Sequence, residues 1–177
     1  KQDGVERENS VAIAEISLND MRGNDLNVST KDLIDRVQLL NSLGYSAMVS
    51  DYTRYFSLRE YFRQYTQLQI GIVVGMTNIK SIFDEESYHG VEGGMLEGFG
   101  KLFPDNTRMF IYPEMAEDGS VREFTSVTVP DHLRFLYRHL LENNFLFGIE
   151  TSDPALFKIY SREVLKKLRS GRTGWED

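Results

Sequence analysis

The seven residues Gln69-Ile-Gly-Ile-Val-Val-Gly75 constrain this chain more than any others. They are apolar on both faces of an extended segment, the pattern of a central strand covered by helices above and below. Around this run, strand-like and helix-like stretches alternate. Val11–Leu18 and Tyr45–Ser50 read as strands before it, and Arg108–Tyr112 and Phe145–Ile149 as strands after it. A helix over Lys31–Leu43 has Leu33, Ile34, Val37, Leu40 and Leu43 on one face, a cap from Ser29 or Thr30, and Gly44 as its stop. Further helices are predicted over Ser57–Tyr65, Asn78–Phe83, Asp131–Asn143 and Ser161–Arg169, with a glycine-rich or broken helix over Tyr88–Phe103. Asp118-Gly119 marks a turn within a polar excursion that ends near Pro130.

Strands separated by helices imply right-handed βαβ crossovers. The expectation is therefore an α/β fold, a Rossmann-like three-layer sandwich whose mostly parallel sheet has about four to six strands. A length of 177 residues suits a single domain with one core. The chain begins at Lys1 without a methionine and stops at Trp175-Glu176-Asp177, so it is expected to be a fragment of a longer protein.

Charge and composition narrow the partners. With 27 acidic and 20 basic residues the net charge is −7, which repels phosphate backbones at long range and argues against nucleic acid as a partner. Arg54, Arg59, Arg63 and Lys80 lie close in sequence and could still line a local basic pocket. No cysteine is present, which excludes disulfides, thiol nucleophiles and cysteine-ligated zinc and fits a reducing, cytoplasmic setting. No apolar run reaches the roughly 18 to 20 residues of a membrane span, so no membrane partner is expected.

In open parallel sheets ligands gather beyond the carboxyl ends of the strands. That rule selects Ser50-Asp51-Tyr52-Thr53-Arg54, Gly75-Met76-Thr77-Asn78 and Tyr112-Pro113-Glu114. The candidate ligand-binding residues are Ser50, Asp51, Arg54, Gly75, Thr77, Asn78 and Glu114. Backbone amides from Gly75 to Asn78 would cradle an anion, Arg54 would supply charge, and Ser50, Asp51 and Glu114 would orient the remainder. Capping and turn formation explain the same residue types without a ligand, with Thr77 or Asn78 capping the next helix.

Two other features have competing readings. Gly90, Gly94 and Gly98 recur every four residues, so on a helix they would share a face suited to close packing or to a partner. Asp84, Glu85, Glu86, His89, Glu92 and Glu97 hold metal-ligating groups, yet an acidic run ordinarily faces water, and no metal site is expected. A phosphate-loop spacing, a nucleophile elbow and a dinucleotide fingerprint are all missing.

A set of segments carries a family resemblance. They are Leu39-Leu-Asn-Ser-Leu-Gly-Tyr45, Val49-Ser-Asp51, Leu58-Arg-Glu-Tyr-Phe-Arg-Gln-Tyr-Thr66, Ile72-Val-Val-Gly75, Ile82-Phe-Asp-Glu85, Glu92-Gly-Gly-Met-Leu-Glu-Gly-Phe-Gly-Lys-Leu102, Tyr112-Pro113, Ser161-Arg-Glu-Val-Leu165 and Gly174-Trp-Glu176. Together they resemble the carboxy-terminal region of a bacterial family often labelled nicotinamide-nucleotide adenylyltransferase and sometimes TonB-dependent receptor. The second label implies a barrel of many alternating strands, which this pattern of helices and buried strands does not match. The first implies a compatible fold class and a His-x-Gly-His-type motif after the first strand. This sequence has none, so adenylyl transfer would need histidines from outside it.

The expectation is a domain that binds a phosphorylated or nucleotide small molecule at the carboxyl edge of its sheet, with no reaction or cofactor assigned. The alternative is a non-catalytic interaction or dimerisation domain, with the glycine stripe and the many Tyr and Phe residues facing a second copy. A third reading, a metal-dependent hydrolase, would use the acidic run.

Overall fold

The computed structural model describes residues 9–22, 29–104, 106–116, 118–150 and 170. The helix expected over Ser161–Arg169, and Trp175, lie outside them. The chain forms two compact units, residues 1–58 and 59–177, and each has its own parallel sheet.

In the first unit β1 (Ile13–Ser17) leads into a short helix, α1 (Leu18–Arg22), then α2 (Thr30–Ser42) and β2 (Ser46–Ser50). The two strands pair in parallel from Ile13 opposite Ser46 to Ser17 opposite Ser50, and α2 packs on β2. Ser29 caps α2 as its sequence position suggests, accepting the Asp32 N–H at 3.4 Å. Gly44 ends the helix with φ +84° and donates its N–H to Asn41 O at 3.0 Å. A Cβ there would meet nothing within 4 Å, so the need for glycine is one of backbone conformation alone. Gly44→Ala is therefore expected to cost about 1–2 kcal/mol, the penalty of holding an L-residue in the left-handed region. A chemical-denaturation midpoint would register it.

The second unit's boundary falls within α3 (Tyr55–Arg63). Then follow β3 (Ile70–Gly75), α4 (Met76–Ile82), a 3-10 turn at Glu85–Tyr88, α5 (Gly94–Leu102) and β4 (Thr107–Tyr112). A short hairpin of two-residue strands pairs β5 (Glu114–Met115) with β6 (Val121–Arg122), antiparallel, around the Asp118-Gly119 turn. After 3-10 turns at Phe124–Ser126 and Asp131–Leu133 come α6 (Arg134–Glu142) and β7 (Leu146–Gly148). The strand order is β3-β4-β7, all parallel.

Three expectations need correction. First, among the described residues the parallel strands fall into a three-stranded and a two-stranded sheet, not one sheet of four to six strands. Second, β4 rather than β3 is flanked on both sides in the larger sheet. Thr107, Met109 and Ile111 are 0% exposed, whereas Val73 on β3 is 65% exposed. The glycine at position 71 serves the neighbouring strand, since a Cβ there would come within 3.0 Å of the Phe110 ring. Third, Gly90, Gly94 and Gly98 are not one helical stripe. Gly90 (φ +79°) sits in a turn and Gly94 (φ +58°) opens α5, and two left-handed residues cannot continue a right-handed helix.

The core of this unit is strongly aromatic. The Phe99 ring lies 5.2 Å from Phe83, 5.8 Å from Tyr88 and 5.7 Å from Phe103, and Tyr137 meets Phe83 edge-on at 5.4 Å. The Tyr88 hydroxyl stays satisfied inside this cluster by donating to Ile82 O at 2.7 Å. Burial pushes the Tyr137 phenol above its ordinary value.

Candidate functional site at the carboxyl edge of the larger sheet

Parallel pairing brings Gly75 level with Tyr112, so β3 and β4 end together. From Gly75 the chain turns straight into α4, with Gly75 itself at the cap (φ −79°, ψ 164°) and no side-chain capping bond. Thr77 and Asn78 are therefore inside the first turn and are not the caps expected from sequence. From β4 the buried Pro113 carries the chain into the hairpin, which presents Glu114 beside the same strand ends.

The polar groups meet across this edge. The Thr77 hydroxyl donates to Glu114 Oε2 at 3.3 Å, while Arg122 Nη1, from the returning strand β6, donates to Glu114 Oε1 at 3.4 Å. Glu114 is the most enclosed member, its side chain 22% exposed against 51% for Arg122. Asn78 is exposed and its side-chain amide has no partner among the described residues. A Cβ at Gly75 would meet nothing within 4 Å, so space is open directly over the strand end. The arrangement offers a hydroxyl, an amide, a carboxylate and a guanidinium around an open glycine.

Gly75 and Tyr112 share an edge of the larger sheet, whereas Ser50 ends β2 in the two-stranded sheet and Asp51 and Arg54 follow it in the first unit. The polar groups of these three have local work. The Ser50 hydroxyl donates to the Glu15 carboxylate, and Asp51 takes Arg22 Nη1 on both oxygens at 2.9 Å. The Arg54 guanidinium lies 5.8 Å from the centre of the Phe56 ring.

Arg122 is the site residue that sequence reasoning missed. Its signal was the Asp118-Gly119 turn, which brings a residue soon after it back against Glu114. Asp118 steadies that turn by accepting the Ser120 hydroxyl at 2.6 Å and the Ser120 N–H at 2.9 Å, bonds that hold its carboxyl below the usual range.

The acidic run is engaged locally. Asp84 accepts the Glu86 N–H, Glu85 lies 3.1 Å from His132, and Glu97 takes Lys101 Nζ at 2.8 Å and the Gly93 N–H at 2.7 Å. The Lys101 bond, then the Gly93 bond, holds the Glu97 carboxyl below its ordinary value. Among the described residues no three His, Asp or Glu side chains converge on a point. Nor is any helix there long and apolar enough to cross a membrane.

No protein-family model, curated protein or solved structure matches this chain.

Proposed function

We propose that the second unit binds a small phosphorylated molecule, such as a nucleotide or sugar phosphate, at the carboxyl edge of its three-stranded sheet. The observation that carries this reading is the Thr77–Glu114–Arg122 chain of hydrogen bonds lying across the joined ends of β3 and β4. Glu114 and Thr77 suit the hydroxyls of a sugar, Asn78 suits an amide or base edge, and Arg122 takes the charge role first expected of Arg54. With seven residues, α4 is too short for its dipole to hold an anion unaided, so recognition falls on side chains. We also propose a Rossmann-like arrangement around this sheet, supported by its parallel strands and helical connections, a bacterial, cytoplasmic origin, and kinship with proteins labelled nicotinamide-nucleotide adenylyltransferase.

Calorimetry with a panel of nucleotides and sugar phosphates tests it. At least one ligand is expected to bind, and Arg122→Gln or Asn78→Ala to weaken it by about tenfold, the loss of one hydrogen bond to a charged or buried group. Arg54→Ala should leave affinity unchanged. A panel without heat, or an Arg122→Gln protein that binds as tightly as the parent, would sink the reading.

A further inference from the structure

Arg59 and Arg63 stand one turn apart on α3, so their stems rise from the same side of the helix. Arg59 Nε donates to the Thr107 hydroxyl at 3.4 Å, and Thr107 is wholly buried at the first position of β4. Arg63 Nη1 donates to the carbonyls of Thr66 at 2.8 Å and Leu68 at 3.2 Å, in the loop that enters β3. Both arginines therefore sit at the amino end of the larger sheet, opposite to the edge described above.

Arg63 is only half satisfied. Its Nε and Nη2 are buried and meet no acceptor among the described residues. These two nitrogens form one edge of the guanidinium plane, whose parallel N–H groups match a pair of oxygens on a phosphate or carboxylate. Enclosing a charged donor without an acceptor is unfavourable, and a second cation alongside makes it more so. Burial, then the Arg63 charge, holds the Arg59 guanidinium below its ordinary value. Among the described residues no carboxylate lies within ion-pair distance of either arginine, and Glu60, 3.9 Å from Lys101 Nζ, offsets the Arg59 charge only in part. A carboxylate would be served by one guanidinium. Two arginines beside one free bidentate edge fit a dianion.

We propose that Arg63 and Arg59 form a second anion site, at the amino end of the sheet, that takes a phosphate dianion on the Nε/Nη2 edge of Arg63. In this proposal the anion reaches the enclosed edge only if the Arg63 side chain changes rotamer and gives up its bonds to the Thr66 and Leu68 carbonyls.

The test is titration of the full chain with inorganic phosphate, followed by 31P NMR and calorimetry at constant ionic strength, with acetate and chloride as contrasts. Saturable phosphate binding is expected, with no comparable response to acetate or chloride. Arg63→Lys keeps a charge and a loop donor but lacks the paired edge, and should weaken phosphate by about tenfold or more. Arg59→Gln should weaken it similarly, and decides the matter if Arg63→Lys does not fold. Phosphate binding that is lost in Arg122→Gln but kept in Arg63→Lys would place the anion at the carboxyl edge and overturn the proposal. Equal responses to phosphate and chloride, acetate bound as tightly as phosphate, or unchanged affinity in the folded arginine variants would each overturn the proposal.

Discussion

Ile111→Ala is expected to destabilise the chain by about 2–5 kcal/mol, a large share of the 5–15 kcal/mol that holds a typical domain together. Ile111 is 0% exposed and belongs to β4, the strand with neighbours on both sides. Val74 stands level with it on one side and Gly148 on the other, and its carbonyl accepts the Ile149 N–H at 2.9 Å. A backbone fixed on both sides cannot move in to fill the space left by the lost methyl and ethyl groups, so the cavity term adds to the lost burial. Val73→Ala is the control. Its side chain is 65% exposed on the other face of the sheet, and the change should stay within about 0.5 kcal/mol. Urea denaturation followed by circular dichroism compares the two through their midpoints at similar slopes. Equal midpoints would mean that β4 does not carry the buried face.

Ile70–Gly75 contains only apolar residues and glycine, whereas Thr107-Arg-Met-Phe-Ile-Tyr112 mixes polar and apolar types. Hydrophobicity measures what a strand can tolerate on its two faces; it does not say how many neighbours the strand has. Threonine at position 107 can be wholly buried because its hydroxyl has Arg59 as a donor, a contact with a helix 48 residues earlier that no local pattern reveals.

The strand ends themselves were readable, because Gly75 and Tyr112 close apolar runs and are followed by turn-forming residues. Their parallel register brings Gly75 level with Tyr112. Ser50 closes a strand of a separate two-stranded sheet. Ser46-Ala-Met-Val-Ser50 looks the same whether it joins β1 alone or extends a larger sheet, since a single sequence does not encode which edge a short strand finds. Arg122 escaped for a related reason: a two-residue strand has no periodicity to detect. The spacing of Gly90, Gly94 and Gly98 misled because two of the three serve positive φ, at a turn and at a helix start, and only Gly98 lies inside the helix. The free edge of Arg63 depends on where two loop carbonyls fall, so it is visible only in three dimensions.

The second large effect follows from where the aromatic residues of the core converge. Phe99 is 4% exposed, and three aromatic rings lie within 5.8 Å of its centre: Phe83 just before the Glu85–Tyr88 turn, Tyr88 at the end of that turn, and Phe103 at the carboxyl cap of α5. Phe99→Ala removes one side of all three contacts and should cost about 3–5 kcal/mol. The separate ring pairs, each worth about 0.5–1.5 kcal/mol, are not added to that figure, because they share the deleted ring. Phe99→Leu retains most of the buried volume while discarding the ring geometry, so it should recover more than half of the loss. Near-ultraviolet circular dichroism supplies a second, local readout. Tyr88 touches Phe99 directly and Tyr137 reaches it through Phe83, so the tyrosine signal should weaken in the alanine variant before the far-ultraviolet signal changes. If alanine and leucine destabilise equally, edge-and-face geometry rather than filled volume holds this cluster together. If neither does, Phe99 is not its centre.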